Sequence, residues 1–412
     1  MESLLTNNSK ELKRCSTFAC HGMAWHTRLP LPVLCTVFSG LLAVLVLRPH
    51  TATSDPDHRD SFEEPPLPST LAQWRNYQPG ERLWESLRRP LLKVGLDLWQ
   101  HAYSMTLAPL DQVARRQTGY LFVHTQRQDI KRMEAGFLGK LRMFQYKNTL
   151  YRPARTTEGQ DVMVRIISIN RAGSEHLDIL RRIATGQASL ISGNHSLPLL
   201  REIKYNNVIF GVFPLVGSSL DEASLLWVQN SVGDVMDMIL QALEGLSFIH
   251  NLGIAHRNFV QDVFLDNFLV QWQPESLLSA DTFTSRPRVY LIDFEAAVQL
   301  PREGPSELRL CRGLPVGGSY IEPSSYTRPS PPDVEAGEAY DPFKLDVWQL
   351  GFALSSIHRL MTGHEEIDSL LLAFANNDPN SRISSEVALR RLMKATKTAP
   401  LSCLEARATW KR

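Results

Sequence analysis

The chain has 412 residues, 43% hydrophobic and 21% charged, enough for a buried core and incompatible with a wholly disordered or fibrous protein. At roughly 150 residues per domain, this length predicts two or three units. Lys plus Arg number 44 against 43 Asp plus Glu, so a net charge of +1 argues against binding nucleic acid by phosphate neutralisation, and five cysteines are too few for a disulfide scaffold.

Residues 1–28 are polar. Residues 29–47 (LPLPVLCTVFSGLLAVLVL) run without a charge and span about 28 Å as a helix, close to the hydrocarbon thickness of a bilayer. Lys10, Lys13, Arg14 and Arg28 precede this run, while Asp55, Asp57, Asp60, Glu63 and Glu64 follow it. That asymmetry predicts a single-pass membrane anchor with a cytosolic N-terminus. A cleaved signal peptide and a buried N-terminal segment stay open as alternatives, and without an anchor the expectation is a cytoplasmic protein. Residues 48–81 are rich in Pro, Ser, Thr, Asp and Glu and read as a linker. A helical extension is expected over 82–134, with the apolar positions of 82–118 spaced as helix faces.

Shorter apolar runs follow. VMVRIISI (162–169) reads as a buried strand, EHLDILRRI (175–183) as a helix and NNVIFGVFPLVG (206–217) as a second strand. VGDVMDMILQALEGLSFIH (232–250) is a long apolar helix and RVYLIDF (288–294) a strand. KLDVWQLGFALSSIHRLMTG (344–363) reads as a helix ending at a glycine. Strands first and helices after predict an α+β arrangement of two packed lobes. Asn194-His195-Ser196 matches a glycosylation acceptor triplet, a pattern common by chance.

Four segments carry chemistry: IAHR (254–257), DVFLDNFLVQW (262–272), YLIDFE (290–295) and YDPFKLDVWQLG (340–351). In order and spacing they resemble the eukaryotic protein-kinase superfamily, and especially the divergent kinase-like proteins of mushroom-forming basidiomycete fungi. The resemblance covers about 135–395, implying a small strand-rich lobe over 135–217, a larger helical lobe over 218–395 and a tail over 396–412. It implies ATP and Mg²⁺ as cofactors and transfer of the γ-phosphate to a protein Ser/Thr hydroxyl. Asp262 would orient the attacking hydroxyl, and Asn267 and Asp293 would hold Mg²⁺, a hard cation that prefers oxygen donors. Arg165 would contact phosphates, Glu175 would be its helix partner, and Phe213-Pro214-Leu215 would cradle the adenine. His256, Arg257, Asp333, Asp346 and Arg382 would support the scaffold, with Asp333 and Arg382 forming a buried ion pair.

The chain departs from the family pattern at several of these positions. The sequence after His256-Arg257 is Asn258 rather than Asp, and counting back from Asn267 restores the expected interval at Asp262, as if four residues were inserted. Arg165 stands where a lysine is usual, and its planar fork is not interchangeable with an ammonium. Strict counting of its helix partner lands on His176, and Glu175 is the nearest carboxylate. No GxGxxG loop occurs between 136 and 165, Phe264 replaces a lysine, and Glu295 replaces the glycine after Asp-Phe. Three functions therefore compete: an ATP-dependent protein kinase, a pseudokinase that binds or scaffolds a protein partner, and a small-molecule kinase.

Overall fold

The computed structural model describes residues 66–78, 80–103, 105–109, 144–221, 230–257, 264–271, 286–303, 305–320, 322–326, 329–357 and 359–411. The apolar run 29–47 lies outside them. Among the described residues no helix is long and apolar enough to cross a membrane.

Helix α1 (Leu71–Asn76) opens at Thr70, whose side chain accepts the Gln73 N–H at 3.1 Å. Helix α2 (Gly80–Lys93) buries Leu83, Trp84, Leu87 and Leu91, one face of a 3.6-residue period. The helical reading of 82–118 is corrected beyond Lys93. Gly95 adopts φ +83°, a left-handed conformation that ends the helix, and the apolar residues after it form strands β1 (Leu96–Leu98), β2 (Gln100–Tyr103) and β3 (Thr106–Ala108). A run of Leu and Trp serves either element, and only the glycine distinguishes them.

Strands β4 (Phe144–Gln145), β5 (Tyr151–Thr156) and β6 (Asp161–Ile169) precede helix α3 (Ser174–Ile183), which is followed by β7 (Arg201–Tyr205) and β8 (Val208–Pro214). The small lobe is an antiparallel five-stranded sheet of order β1-β5-β6-β8-β7. Alternation along β6 divides its side chains between two faces. Val162, Val164 and Ile166 pack with α1 and α2, while Ile167, with Met163 beside it, joins the core beneath α3. Arg165 shares the parity of Met163. A register shift between Ile166 and Ser168 then returns Ile169 to the α1–α2 side. The sheet is thus covered on both faces, and Trp84 links the layers, its ring 6.2 Å from those of Trp74 and Phe210.

The second lobe begins after β9 (Ser218–Ser219) with α4 (Val232–Asn251), which opens on a reciprocal cap between Ser231 and Asp234. Strands β10 (Ile254–Ala255), β11 (Phe268–Gln271), β12 (Arg288–Leu291) and β13 (Val298–Gln299) pair as β12-β11-β9 and β10-β13. Helices α5 (Pro342–Phe352), α6 (Glu365–Phe374) and α7 (Ser385–Thr398) complete the apolar core. The helix expected over 344–363 is shorter than its pattern. Residues Ala353–Ile357 widen into a π turn, and Arg359–Met361 pairs instead with Thr409–Lys411. The Asn194 side chain is 1% exposed, and its Nδ2 donates to the carbonyls of Ile183 at 2.6 Å and Ala188 at 2.7 Å, so this amide is not presented for glycosylation.

Candidate functional site

Between the lobes lies a cleft of about 270 Å³. Met163, Leu197, Phe213, Leu215, Val216, Leu269 and Leu291 line it on its apolar side, and Arg75, Lys147, Arg165, Asp266, Asn267 and Asp293 carry its polar groups. Phe213, next to the last residue of β8, is 7% exposed, and Phe213-Pro214-Leu215 forms one wall. Residues 144–150, which contain no glycine, contribute Phe144, Gln145, Lys147, Asn148 and Leu150 to the lining. Lys147 Nζ reaches Asp266 Oδ2 across the mouth at 3.0 Å.

The polar end is a closed set of charges. Arg165, on β6, pairs through Nη2 with the Asp293 carboxylate and lies 3.6 Å from Glu295 Oε2. The second cation comes from α1: Arg75 Nη1 lies 3.6 Å from Glu295 Oε1 and donates to Ser319 Oγ at 3.0 Å. Its Nη2 donates to the Tyr320 hydroxyl, and its guanidinium stacks over that ring at 3.7 Å. Glu295 Oε2 accepts the Ser319 hydroxyl at 3.0 Å. Close seating of Glu295 requires Gly318, at φ +59°, where a Cβ would stand 2.7 Å from that of Glu295.

Burial opposes the charge of Arg165, but Asp293 and Glu295 outweigh it and hold its pKa above the ordinary guanidinium value. Burial likewise pushes the Asp293 carboxyl up, but Arg165 and the other cationic groups around it, Arg75 among them, together outweigh burial and hold its pKa below the ordinary carboxylate value. Glu295 is raised by burial and by the neighbouring Asp293 charge, more than Arg165 and Arg75 offset. Arg75 is lowered by burial.

Glu175 is the corrected site residue. It stands exposed on the first turn of α3 and outside the cleft lining, because the inward position of that turn belongs to the next residue. His176 fills it, 5% exposed, and burial followed by the Arg165 charge pushes its pKa down to about 3. A neutral imidazole thus holds the inward position of that turn, and the direct counter-charge of Arg165 is Asp293, with Glu295 3.6 Å away. The sign of the pH dependence follows. An unfolded His176 gains its proton near pH 6.5 and the folded one does not, so stability falls as pH drops below about 6.5, by at most about 1.4 kcal/mol per pH unit. Urea unfolding at pH 7 and pH 5 should show this loss, and His176→Leu should reduce it; an unchanged slope would contradict the assignment.

Asn267 is fully buried and lines the cleft with Asp293. Asp293 occupies the left-handed region at φ 68°, and so does Arg257 at φ 56°. Such conformations cost energy and persist where the surroundings over-determine them. Here Asp346, on α5, accepts the backbone N–H of His256 at 2.8 Å and of Arg257 at 2.7 Å. His250 Nε2 donates to the same carboxylate at 2.8 Å. His256 Nε2 donates to the Ile292 carbonyl at 2.8 Å, and its ring meets Phe294 edge-on at 5.0 Å, tying this loop to the turn that presents Asp293. The Arg257 guanidinium lies beside the Tyr340 hydroxyl. Asp333 and Arg382 form a two-pronged buried pair, one prong at 2.9 Å. Asp262 and Asn258 lie outside the described residues.

Mg²⁺ requires near-octahedral oxygen donors. The Asp293 carboxylate, which would be its principal ligand, is held by the Arg165 guanidinium, with Arg75 nearby. As arranged, this donor set does not fit the ion.

Sequence reasoning missed Arg75, Lys147 and Asp266. No spacing connects Arg75 with Asp293, and only the fold of α1 against the sheet brings them together. His176 was reachable by counting.

No protein-family model matches the chain. Among solved structures it is similar to the Rad53 kinase domain and SCD2 in complex with AMPPNP, at 16% identity over 62% of this chain and 90% of that chain, with a TM-score of 0.39. It is also similar to the Rad53 kinase domain and SCD2, at 16% identity over 61% of this chain and 85% of that chain, with a TM-score of 0.40.

Proposed function

We propose that this chain is a protein-kinase-like domain that holds an adenine nucleotide between its lobes and acts as a binding or scaffold module, a pseudokinase. The observation that carries the reading is the self-satisfied charge set at the end of an apolar slot. Arg165 and Arg75 are matched by Asp293 and Glu295, and His176 is neutral. Phosphoryl transfer depends on charge aimed at the group in flight. Here each charge is already directed at another side chain. The apolar walls and polar end suit a ligand with a flat apolar part and a charged part.

The test is thermal unfolding with ATP, together with an assay for phosphate transfer to protein and peptide hydroxyls. Ligand at a hundred times its Kd should stabilise the fold by about 2.7 kcal/mol. Stabilisation without transfer supports the binding module, and the absence of any shift rejects the nucleotide.

One observation favours a second reading, an ATP-dependent kinase acting on Ser/Thr hydroxyls. Asn267 and Asp293 meet in the same cleft, beside a loop whose backbone Asp346 pins. Transfer that vanishes in Asp262→Ala would establish that reading in place of the first.

A further inference from the structure

Two guanidinium groups from distant parts of the chain converge at the polar end of the cleft, and the two differ in origin. Arg165 belongs to the central strand of the small-lobe sheet. Arg75 belongs to α1, which docks on the outer face of that sheet through Leu71 and Trp74. Arg75 nevertheless reaches Glu295, Ser319 and Tyr320 and forms part of the cleft lining.

A guanidinium carries five N–H donors in a fixed fork. Arg165 directs Nη2 at Asp293 and Glu295, and its buried Nε has no hydrogen-bond partner. The contacts of Arg75 with Ser319 and Tyr320 use one hydrogen from each Nη, leaving donors over. Arg75, which lines the cleft, therefore keeps N–H groups for a phosphate oxygen while holding Ser319 and Tyr320, and Arg165 brings its charge to the same end. A divalent cation has no such access. It must take the Asp293 carboxylate from Arg165 and bring two more positive charges against two guanidiniums, at a site where burial weakens screening.

We propose that the cleft binds its phosphate-bearing ligand without a divalent cation, with Arg75 acting beside Arg165 as a second phosphate-contacting residue. This inference rests on the nucleotide-cleft reading given above. Arg75 supplies, from a helix packed on the small-lobe sheet, positive charge at the end of the cleft where a phosphate would lie.

The experiment is equilibrium titration of the full-length chain with ATP, once in EDTA and once in Mg²⁺, repeated for Arg75→Ala and Arg75→Lys. The native chain should bind equally well in both media, to within about twofold. Arg75→Ala should weaken binding in EDTA about tenfold, the loss of one charge-assisted contact. Arg75→Lys, which keeps the charge, should recover part of that loss. If Arg75→Ala does not fold, as judged by circular dichroism, the two media and Arg75→Lys decide the matter. Binding in Mg²⁺ alone, or an Arg75→Ala affinity equal to the native one in EDTA, overturns the inference and leaves the nucleotide cleft standing. Binding in neither medium rejects the nucleotide cleft itself.

Discussion

Arg382→Met is expected to destabilise the fold by about 3–5 kcal/mol, because it strands the buried Asp333 carboxylate without its partner. Both residues are almost fully enclosed, at 3% and 6% exposure, so water cannot replace the lost guanidinium. The arginine also donates through Nε to the Asn376 carbonyl and through Nη2 to the Asn377 carbonyl, each at 2.9 Å. Its removal therefore loosens the loop ahead of α7 as well as the turn Pro332–Glu335. The double variant Asp333→Leu/Arg382→Met should recover much of the loss, since the larger cost comes from an unpaired buried charge rather than from a missing pair. Urea unfolding of the two variants at pH 7 measures both effects. A single-variant loss below about 1 kcal/mol, the range of an exposed ion pair, would show that the pair is solvated.

A comparable loss, about 4 kcal/mol, is expected for Asp346→Ala. The carboxylate is fully buried and accepts from two backbone N–H groups and from His250. An unsatisfied buried donor costs about 1–3 kcal/mol, and this substitution creates several at once. It also releases the restraint that holds Arg257 in its left-handed conformation. Asp346→Asn keeps one acceptor oxygen and should cost less than half as much. Equal losses in the two variants would mean that the enclosed volume matters and the hydrogen bonds do not.

The parts of the fold legible in the sequence are those written in a short period. VMVRIISI and VIFGVFP are β-branched or aromatic runs bounded by turn residues, and they became the paired strands β6 and β8. The apolar spacing of 232–250 became α4 almost to the residue. The long segments around α2 and α5 were harder, because Leu, Trp and Ile serve helix and strand alike and the outcome was decided by Gly95 and by pairing with residues near the C-terminus. Of the residues named from the resemblance, Arg165, Asn267 and Asp293 line the cleft, and Asp333 and Arg382 form the expected pair. Glu175 was misplaced by one residue, which on a helix is a rotation of about 100° and enough to carry a side chain from cleft to solvent. Arg75 carried no sequence signal, since its role depends on where α1 docks.

The covering of the small-lobe sheet by α1 and α2 bears on where this chain can be cut. Boundaries drawn from the chemistry-bearing segments alone would begin near residue 135. Such a fragment would lack Trp74, Leu83, Trp84, Leu87 and Leu91, uncovering Val162, Val164, Ile166 and Phe210 to water. It would also strip β1 from β5, turning an interior strand into an open edge. Exposed apolar surface beside an unpaired edge is a template for intermolecular strand pairing, so the shortened chain should precipitate where one beginning near residue 66 stays dispersed.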